Sequence, residues 1–138
     1  MREIKKIAAS LMVVVAMVTS ITSISASAYY NEYSTASSRE SSSSILTIIY
    51  AKNKYNSYSD FYGMAVYYNN SSGSFLGNKS EVHYDVPYYV NESIHFTWYC
   101  PSTLPATTRV ETSCSAHVKY NVYSQPYETF HSTSYVYN

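Results

Sequence analysis

Glycine is scarce in this chain, with only 3 residues among 138. A loop that cradles phosphates needs several glycines, because the backbone must approach the phosphate oxygens closely. The motifs G-x-S-x-G and H-E-x-x-H are also missing from the sequence. Glycoside hydrolysis requires two carboxylates on either side of one glycosidic bond, and no pattern in the sequence places carboxylates such as Glu81 and Asp85 in that way. The sequence therefore predicts a protein that is not an enzyme and needs no cofactor.

Charge is also sparse, since Asp, Glu, Lys and Arg make up 13% of the residues. Three of the nine basic residues and one of the nine acidic residues lie within the first six positions. The rest of the chain has six basic and eight acidic residues, a net charge of −2. A nucleic-acid-binding protein needs a basic stripe, and attraction to an anionic membrane needs a basic patch. Neither kind of partner is expected.

The first 28 residues have the pattern of a secretory signal peptide. A basic start is followed by an apolar run over 7–18 and by the small residues Ala26, Ser27 and Ala28. The apolar run is too short for a comfortable membrane span, so an uncleaved anchor is the weaker interpretation. We predict cleavage after Ala28 and an extracellular product that has no transmembrane anchor. The segment 29–44 is rich in serine and tyrosine and predicts a flexible lead-in, with a short edge strand as the alternative.

Strict alternation dominates the rest of the chain, most clearly over 106–123. Even positions are small or apolar, and odd positions are polar or charged. Only an extended strand places alternate side chains on opposite faces. At about 3.3 Å per residue this segment would span roughly 60 Å, so a bend or a bulge must interrupt it.

Further strands are predicted over 45–50, 61–68, 80–90, 93–100 and 127–137, with a helix as the alternative for the short apolar run 45–50. Gly63 marks a close approach or a bulge, and Pro87 places its strand at an edge or ends it there. We predict one all-β domain over 45–138, a small antiparallel β-sandwich or open barrel of about seven strands. The spacing of Trp98 and the two cysteines does not match the immunoglobulin pattern.

The two cysteines, Cys100 and Cys114, both fall on the inward phase of their strands. An even number of cysteines in an exported chain predicts a disulfide. A zinc site is the weaker alternative, because two cysteines without a partner spacing make a poor ligand set.

The four histidines all fall on the predicted outward phase: His83, His95, His117 and His131. His83 shares a strand face with Glu81 and Asp85, a geometry that allows a surface metal site. A third ligand would have to come from a neighbouring strand, and the predicted pairing brings none. We therefore predict solvated histidines and no metal.

Tyrosine is the most over-represented residue, with 18 copies. Inward tyrosines such as Tyr84 and Tyr120 are predicted to be core residues. Six outward ones are candidates for a binding surface: Tyr89, Tyr99, Tyr123, Tyr127, Tyr135 and Tyr137. Exposed tyrosine rings stack on sugars or anchor protein contacts at little entropic cost. The alternative is that tyrosine merely suits a half-buried sheet surface.

Two finer predictions concern packing. A central cluster should contain Phe96, Trp98, Val110, Val118 and Tyr120. A C-terminal hairpin with the loop 124–126 should place three pairs opposite each other: Tyr123 and Tyr127, Tyr120 and Phe130, and Lys119 and His131.

Two functions follow as hypotheses. The first is a secreted, non-catalytic module that contacts a glycan, a cell-envelope component or a protein partner through exposed tyrosines. The second is a secreted bacteriocin-like or toxin-like effector that acts on a target cell envelope. The tyrosine-rich C-terminal hairpin resembles small secreted bacteriocins of the lactococcin 972 type in composition alone, so we assign no family.

Overall fold

The computed structural model describes residues 18–23, 31–119 and 127–138, and for 18–23 and Tyr127 the backbone alone. These ranges contain eight strands and no helix. The strands are β1 (Val18–Ser23), β2 (Glu32–Arg39), β3 (Ser44–Lys52), β4 (Ser59–Asn69), β5 (Phe75–Val86), β6 (Asn91–Tyr99), β7 (Thr107–Val118) and β8 (Tyr127–Tyr137). The all-β prediction is confirmed. Val18–Ser23 lie within the predicted signal peptide, whose cleavage site lies outside the described residues.

The strands form two sheets of four, and all the pairings within them are antiparallel. The first sheet has the order β1-β2-β3-β6, and the second sheet has the order β5-β4-β7-β8. The sheets pack face to face around a shared core. At their sides, β5 lies beside β6, and β8 lies beside β1 and β2. The edge position of β5, and its end one residue before Pro87, confirm the reading of that proline.

The core is built from the inward phases of the strands, as alternation predicts. The large side chains buried most completely include Ile45, Ile49, Phe61, Tyr67, Ile94, Val110 and Phe130. Gly63 is a point of close approach, because a Cβ built there would lie 3.1 Å from side-chain atoms of both Ile49 and Ile94. In the predicted central cluster, Phe96, Trp98 and Val110 belong to the core, Val118 is buried, and Tyr120 lies outside the described residues.

The indole of Trp98 organises one end of this core. It stacks on Tyr67 with ring centroids 4.3 Å apart and planes 8° apart. The Tyr67 hydroxyl lies 2.8 Å from Oγ1 of Thr47, so its polar end is satisfied within the core. Gly77, the register partner of Tyr67, also packs against the indole, where a Cβ would lie 2.7 Å from Nε1. The close contact therefore requires glycine at position 77.

Residues 32–39 of the segment predicted to be a flexible lead-in instead form β2, so the prediction is wrong for these residues. The inward side chains of β2 carry hydroxyl groups and are buried, and two of them, Tyr33 and Thr35, are hydrogen-bonded to β8. Thr35 Oγ1 lies 2.9 Å from Ser132 Oγ, and the Tyr33 hydroxyl donates to Glu128 Oε1 at 2.6 Å. The Asn31 amide donates to the same carboxylate oxygen at 3.0 Å. We call these five residues the polar seam. Their hydrogen bonds replace the apolar burial that the composition lacks.

The predicted inward position of Tyr84 is also wrong, since its side chain is 64% exposed. The pairing of β4 with β5 is irregular between the pairs Ser59–Val86 and Phe61–His83. Asp85 has a positive φ of 56° at this point. A bulge adds one residue and inverts the alternation. Val86 therefore points inward, whereas Tyr84 points outward and His83 turns toward β6.

The C-terminal hairpin has a different register from the predicted one. Phe130 pairs with Cys114, and His131 pairs with Ser113 instead of Lys119. The strand β7 ends at Val118, and the amide of Lys119 donates to the Tyr58 carbonyl at 3.0 Å instead of continuing the ladder. The predicted partners Tyr120 and Tyr123 lie outside the described residues. The observed pairs differ from the prediction by six positions, an even number, so Phe130 still faces the core.

The predicted disulfide between Cys100 and Cys114 is not formed, because both are free, buried thiols. Cys114 pairs with Gly63, which lies under Ile94. Cys100 lies six residues beyond Ile94 along β6, which is about 20 Å at 3.3 Å per residue. A disulfide needs Cα atoms about 4.4–6.8 Å apart. Both cysteines therefore point into the core as predicted, but they lie at different positions along the strands, too far apart for a disulfide.

Candidate functional site

The six candidate binding tyrosines do not form one platform. Tyr99 is 70% exposed on the outer face of the first sheet, whereas Tyr89 is exposed in the turn before β6. Tyr135 and Tyr137 are exposed on the outer face of the second sheet. Tyr123 and the side chain of Tyr127 lie outside the described residues. The described candidates are thus divided among three places.

Six of the twelve exposed large hydrophobic side chains among the described residues lie on the outer face of the second sheet. We call it the aromatic face. It comprises Tyr62, Met64, Tyr68, Phe75, Tyr84, Tyr135 and Tyr137, of which only Tyr68 is half-buried. The sequence of β4 explains much of this face. Its inward residues are Phe61, Gly63, Ala65 and Tyr67, and the residues between and after them point outward: Tyr62, Met64, Val66 and Tyr68. Both phases of β4 are therefore apolar, although only one is buried.

A row across all four strands lies at one end of the aromatic face. Tyr68 is the register partner of both Phe75 and Arg109, and Arg109 pairs with Tyr135. The Phe75 side chain is 59% exposed and meets the Tyr68 ring edge-on at 6.1 Å. The Arg109 guanidinium lies 4.7 Å from the centroid of the Tyr68 ring, a cation–π distance. Its Nε lies 3.1 Å from Glu111, so the charge within the row is compensated.

The other end of the aromatic face has a charged border. Tyr84 packs edge-on against Tyr62 at 6.3 Å, and the Lys119 ammonium lies 5.9 Å from the Tyr84 ring. Lys119 Nζ lies 2.7 Å from Asp85 and 3.2 Å from Asp60. The hydrogen bond to Asp85, aided by Asp60, raises the pKa of Lys119. A polar border around an apolar centre is the common anatomy of a protein interface.

His83 lies at the junction of the two sheets, half-buried rather than solvated as predicted. Its Nδ1 is 2.8 Å from Glu92 on β6, and its Nε2 is 3.1 Å from Glu81. Partial burial lowers the pKa of His83, but the two glutamates outweigh burial and raise it. His95 and His131 are exposed. Among the described residues, no group of three or more His, Cys, Asp or Glu could hold a metal ion.

The buried thiol of Cys114 is unsuited to nucleophilic chemistry. Burial, with a smaller contribution from Glu128, raises its pKa to about 12, so the thiol stays protonated at neutral pH.

No helix among the described residues is long and apolar enough to cross a membrane.

Sequence reasoning missed five members of the aromatic face: Tyr62, Met64, Tyr68, Phe75 and Tyr84. A signal for the β4 members was present, because the run 61–68 is apolar on both phases with no polar alternation. Such a strand is either covered on both faces or leaves an apolar face exposed. The strand pairing shows that the second case applies, because β4 lies in a sheet whose outer face is covered by no described element.

The comparisons with known proteins identify no family. No protein-family model matches the chain, and no curated protein matches it. Among solved structures, it is similar to a crystal structure of a protein from Archaeoglobus fulgidus. The two chains are 8% identical, the match covers 78% of this chain and 95% of the other, and the TM-score is 0.39. A likeness this distant carries no argument, so a function must be inferred from the residues of this chain.

Proposed function

We propose that the chain is a secreted, non-catalytic binding module whose aromatic face docks on a partner protein. The observation that supports this most directly is the exposure of so many large apolar side chains on one sheet. Monomeric proteins rarely leave a large contiguous apolar patch open to water, and patches with a polar border usually mark interaction surfaces. Export is supported by the signal-like pattern over 1–28.

The residue types favour a protein partner over a sugar at this face. Tyrosine, phenylalanine, methionine and arginine are enriched at the centres of protein interfaces. Met64 lies between the tyrosines of β4 and offers a flexible apolar surface. Arg109 is held by Tyr68 and Glu111, so its guanidinium can be covered without leaving an unpaired charge. Sugar recognition needs several uncommitted hydrogen-bonding groups around a ring, and this face is mostly apolar.

The test removes two exposed rings at opposite sides of the row. The double variant Phe75→Ser/Tyr135→Ser should fold normally, because both side chains are exposed. The matched control is Tyr99→Ser, which removes an exposed tyrosine from the other sheet. The immobilised proteins are incubated with culture medium and envelope extract of the source organism, and retained proteins are identified by mass spectrometry. Any candidate is then purified and titrated against each variant.

We expect one protein to bind the unmodified chain and the control with equal affinity and to lose at least about 90% of its affinity for the double variant. Equal binding by the double variant would show that the aromatic face is not the interface. If no protein binds but the chain inhibits the growth of neighbouring strains, the bacteriocin-like alternative would replace this proposal. Growth assays with the same three proteins would then show whether the exposed rings are needed for inhibition.

A further inference from the structure

A second candidate site lies on the outer face of the first sheet, on the other side of the molecule from the aromatic face. It is a groove of about 460 Å³ at one end of β2, β3 and β6. The outward side chains that line it are Glu32, Ser34, Tyr50, Lys52, Asn91 and Ser93. We call it the Tyr50 groove. Its size is within the range of about 300–1,000 Å³ that is common for sites of small ligands.

The strand register determines the arrangement of these side chains. Tyr50 is the partner of both Ser34 and Ser93, so its ring stands between two hydroxyl groups. In the next outward row, Lys52 is the partner of both Glu32 and Asn91. One row therefore supplies an aromatic ring with flanking hydroxyls, and the next supplies a carboxylate, an ammonium and an amide. The Tyr50 side chain is 47% exposed, which leaves part of the ring free for contact.

The charges around the groove are balanced. Glu32 Oε1 is 3.0 Å from Lys54 Nζ, so the carboxylate has a cation beside it. The Lys52 ammonium lies 4.7 Å from the centroid of the Tyr89 ring. Glu92 also lines the groove, so phosphate or nucleic acid would meet two carboxylates beside the two lysines, a weak site for an anion. The balance favours a neutral ligand that both donates and accepts hydrogen bonds.

We propose that the Tyr50 groove binds a neutral oligosaccharide, with one sugar ring stacked on Tyr50. Sugar rings present a flat C–H face to an aromatic ring and a border of hydroxyls to polar side chains. The hydroxyls of Ser34 and Ser93 and the amide of Asn91 lie around Tyr50 as partners for those hydroxyls. The ligand class and the sheet both differ from those of the proposed protein interface. The module would therefore bind a glycan on one sheet and a protein on the other.

The experiment titrates the purified chain with cellotriose, maltotriose and tri-N-acetylchitotriose, each followed by calorimetry and by amide chemical shifts. Tyr50→Ala removes the ring, and Tyr50→Phe keeps the ring but removes the hydroxyl. Tyr99→Ala is the matched control, because Tyr99 is an exposed tyrosine on the same outer face but outside the groove. Far-UV circular dichroism verifies that each variant is folded.

We expect at least one trisaccharide to bind, with shifts concentrated at the ends of β2, β3 and β6 that line the groove. Tyr50→Ala should weaken that binding at least about tenfold, which corresponds to about 1.4 kcal/mol. Tyr50→Phe should retain most of the affinity, and Tyr99→Ala should retain all of it. The proposal is overturned if none of the three sugars binds, or if folded Tyr50→Ala binds as well as the unmodified chain.

Failure here is distinguishable from failure of the protein interface. The double variant Phe75→Ser/Tyr135→Ser alters only the second sheet, so it should bind the sugar with unchanged affinity. If that variant loses sugar binding while Tyr50→Ala keeps it, the sugar binds the aromatic face, and the assignment to the Tyr50 groove is wrong.

Discussion

Trp98→Ala is the substitution with the largest expected effect on stability. The indole is only 7% exposed and packs against both the Tyr67 ring and Gly77. Neither neighbour can easily fill the space left by its removal. The Tyr67 hydroxyl is held by Thr47, and position 77 has no side chain that could turn inward. The site should therefore keep most of the cavity that the truncation creates.

Truncating a buried Trp to Ala usually costs about 3–5 kcal/mol, because transfer and cavity contributions add. The upper half of this range is expected here, since the stacked contact with Tyr67 is lost as well, and such pairs contribute about 0.5–1.5 kcal/mol. A small domain has a total stability of about 5–15 kcal/mol. Trp98→Ala should thus remove a large part of the free energy of unfolding.

Urea denaturation followed by far-UV circular dichroism measures this loss. Two further variants test the reasoning. Gly77→Ala should cost about 1–3 kcal/mol, because the added methyl group overlaps the indole. Tyr99→Ala, one residue beyond Trp98 but exposed, should change stability by no more than about 0.5 kcal/mol. An unchanged midpoint for Trp98→Ala would refute the buried stack and place Trp98 on the surface.

Two further predictions concern titration and thiols. Glu92 and Glu81 raise the pKa of His83 in the folded state, so protonated His83 stabilises the fold. That contribution is complete below the unfolded-state pKa of about 6.5 and is lost as the pH rises through the higher folded value. The free energy of unfolding of His83→Gln should therefore be lower than that of the unmodified chain at about pH 6, and the difference should be smaller at about pH 9. Urea denaturation at both pH values measures this difference, and a difference that does not change with pH would contradict the prediction. Cys100 and Cys114 should resist iodoacetamide in the native protein and both react in unreduced urea, as read by mass spectrometry; no reaction in urea would indicate the disulfide after all.

Alternation predicted β6 and β7 well, because apolar or small residues on the inner face of these strands alternate with polar residues on the outer face. Alternation failed at β2, because the hydrogen-bond partner of the buried Thr35 is Ser132, which lies 97 positions later in the chain. No local window contains that partner, so burial of a hydroxyl cannot be inferred from it. It failed at Tyr84 because the bulge at Asp85 inverts the phase, and a bulge leaves no mark in the composition.

The candidate site was predicted only in part, for similar reasons. Tyr135 and Tyr137 follow directly from the alternation of β8. Phase alone could not tell that Tyr62 and Met64 are exposed, because both phases of β4 are apolar. The Tyr50 groove depends on which strands are neighbours. Its serine and asparagine side chains come from β2 and β6, which lie on either side of β3, and no residue pattern specifies that pairing.

The polar seam between β2 and β8 has a consequence for how the native protein fluctuates. When β2 separates from β8, water can replace the hydrogen bonds of Thr35, Tyr33 and Glu128, and the apolar contact that is lost is chiefly that of the Tyr33 ring with Phe61 and Phe130. Local opening should therefore begin at β2, at a free energy well below that of global unfolding. In native-state hydrogen exchange, amides of β2 should exchange through this partial opening. Amides of β4 and β7 should exchange only when the whole sandwich unfolds.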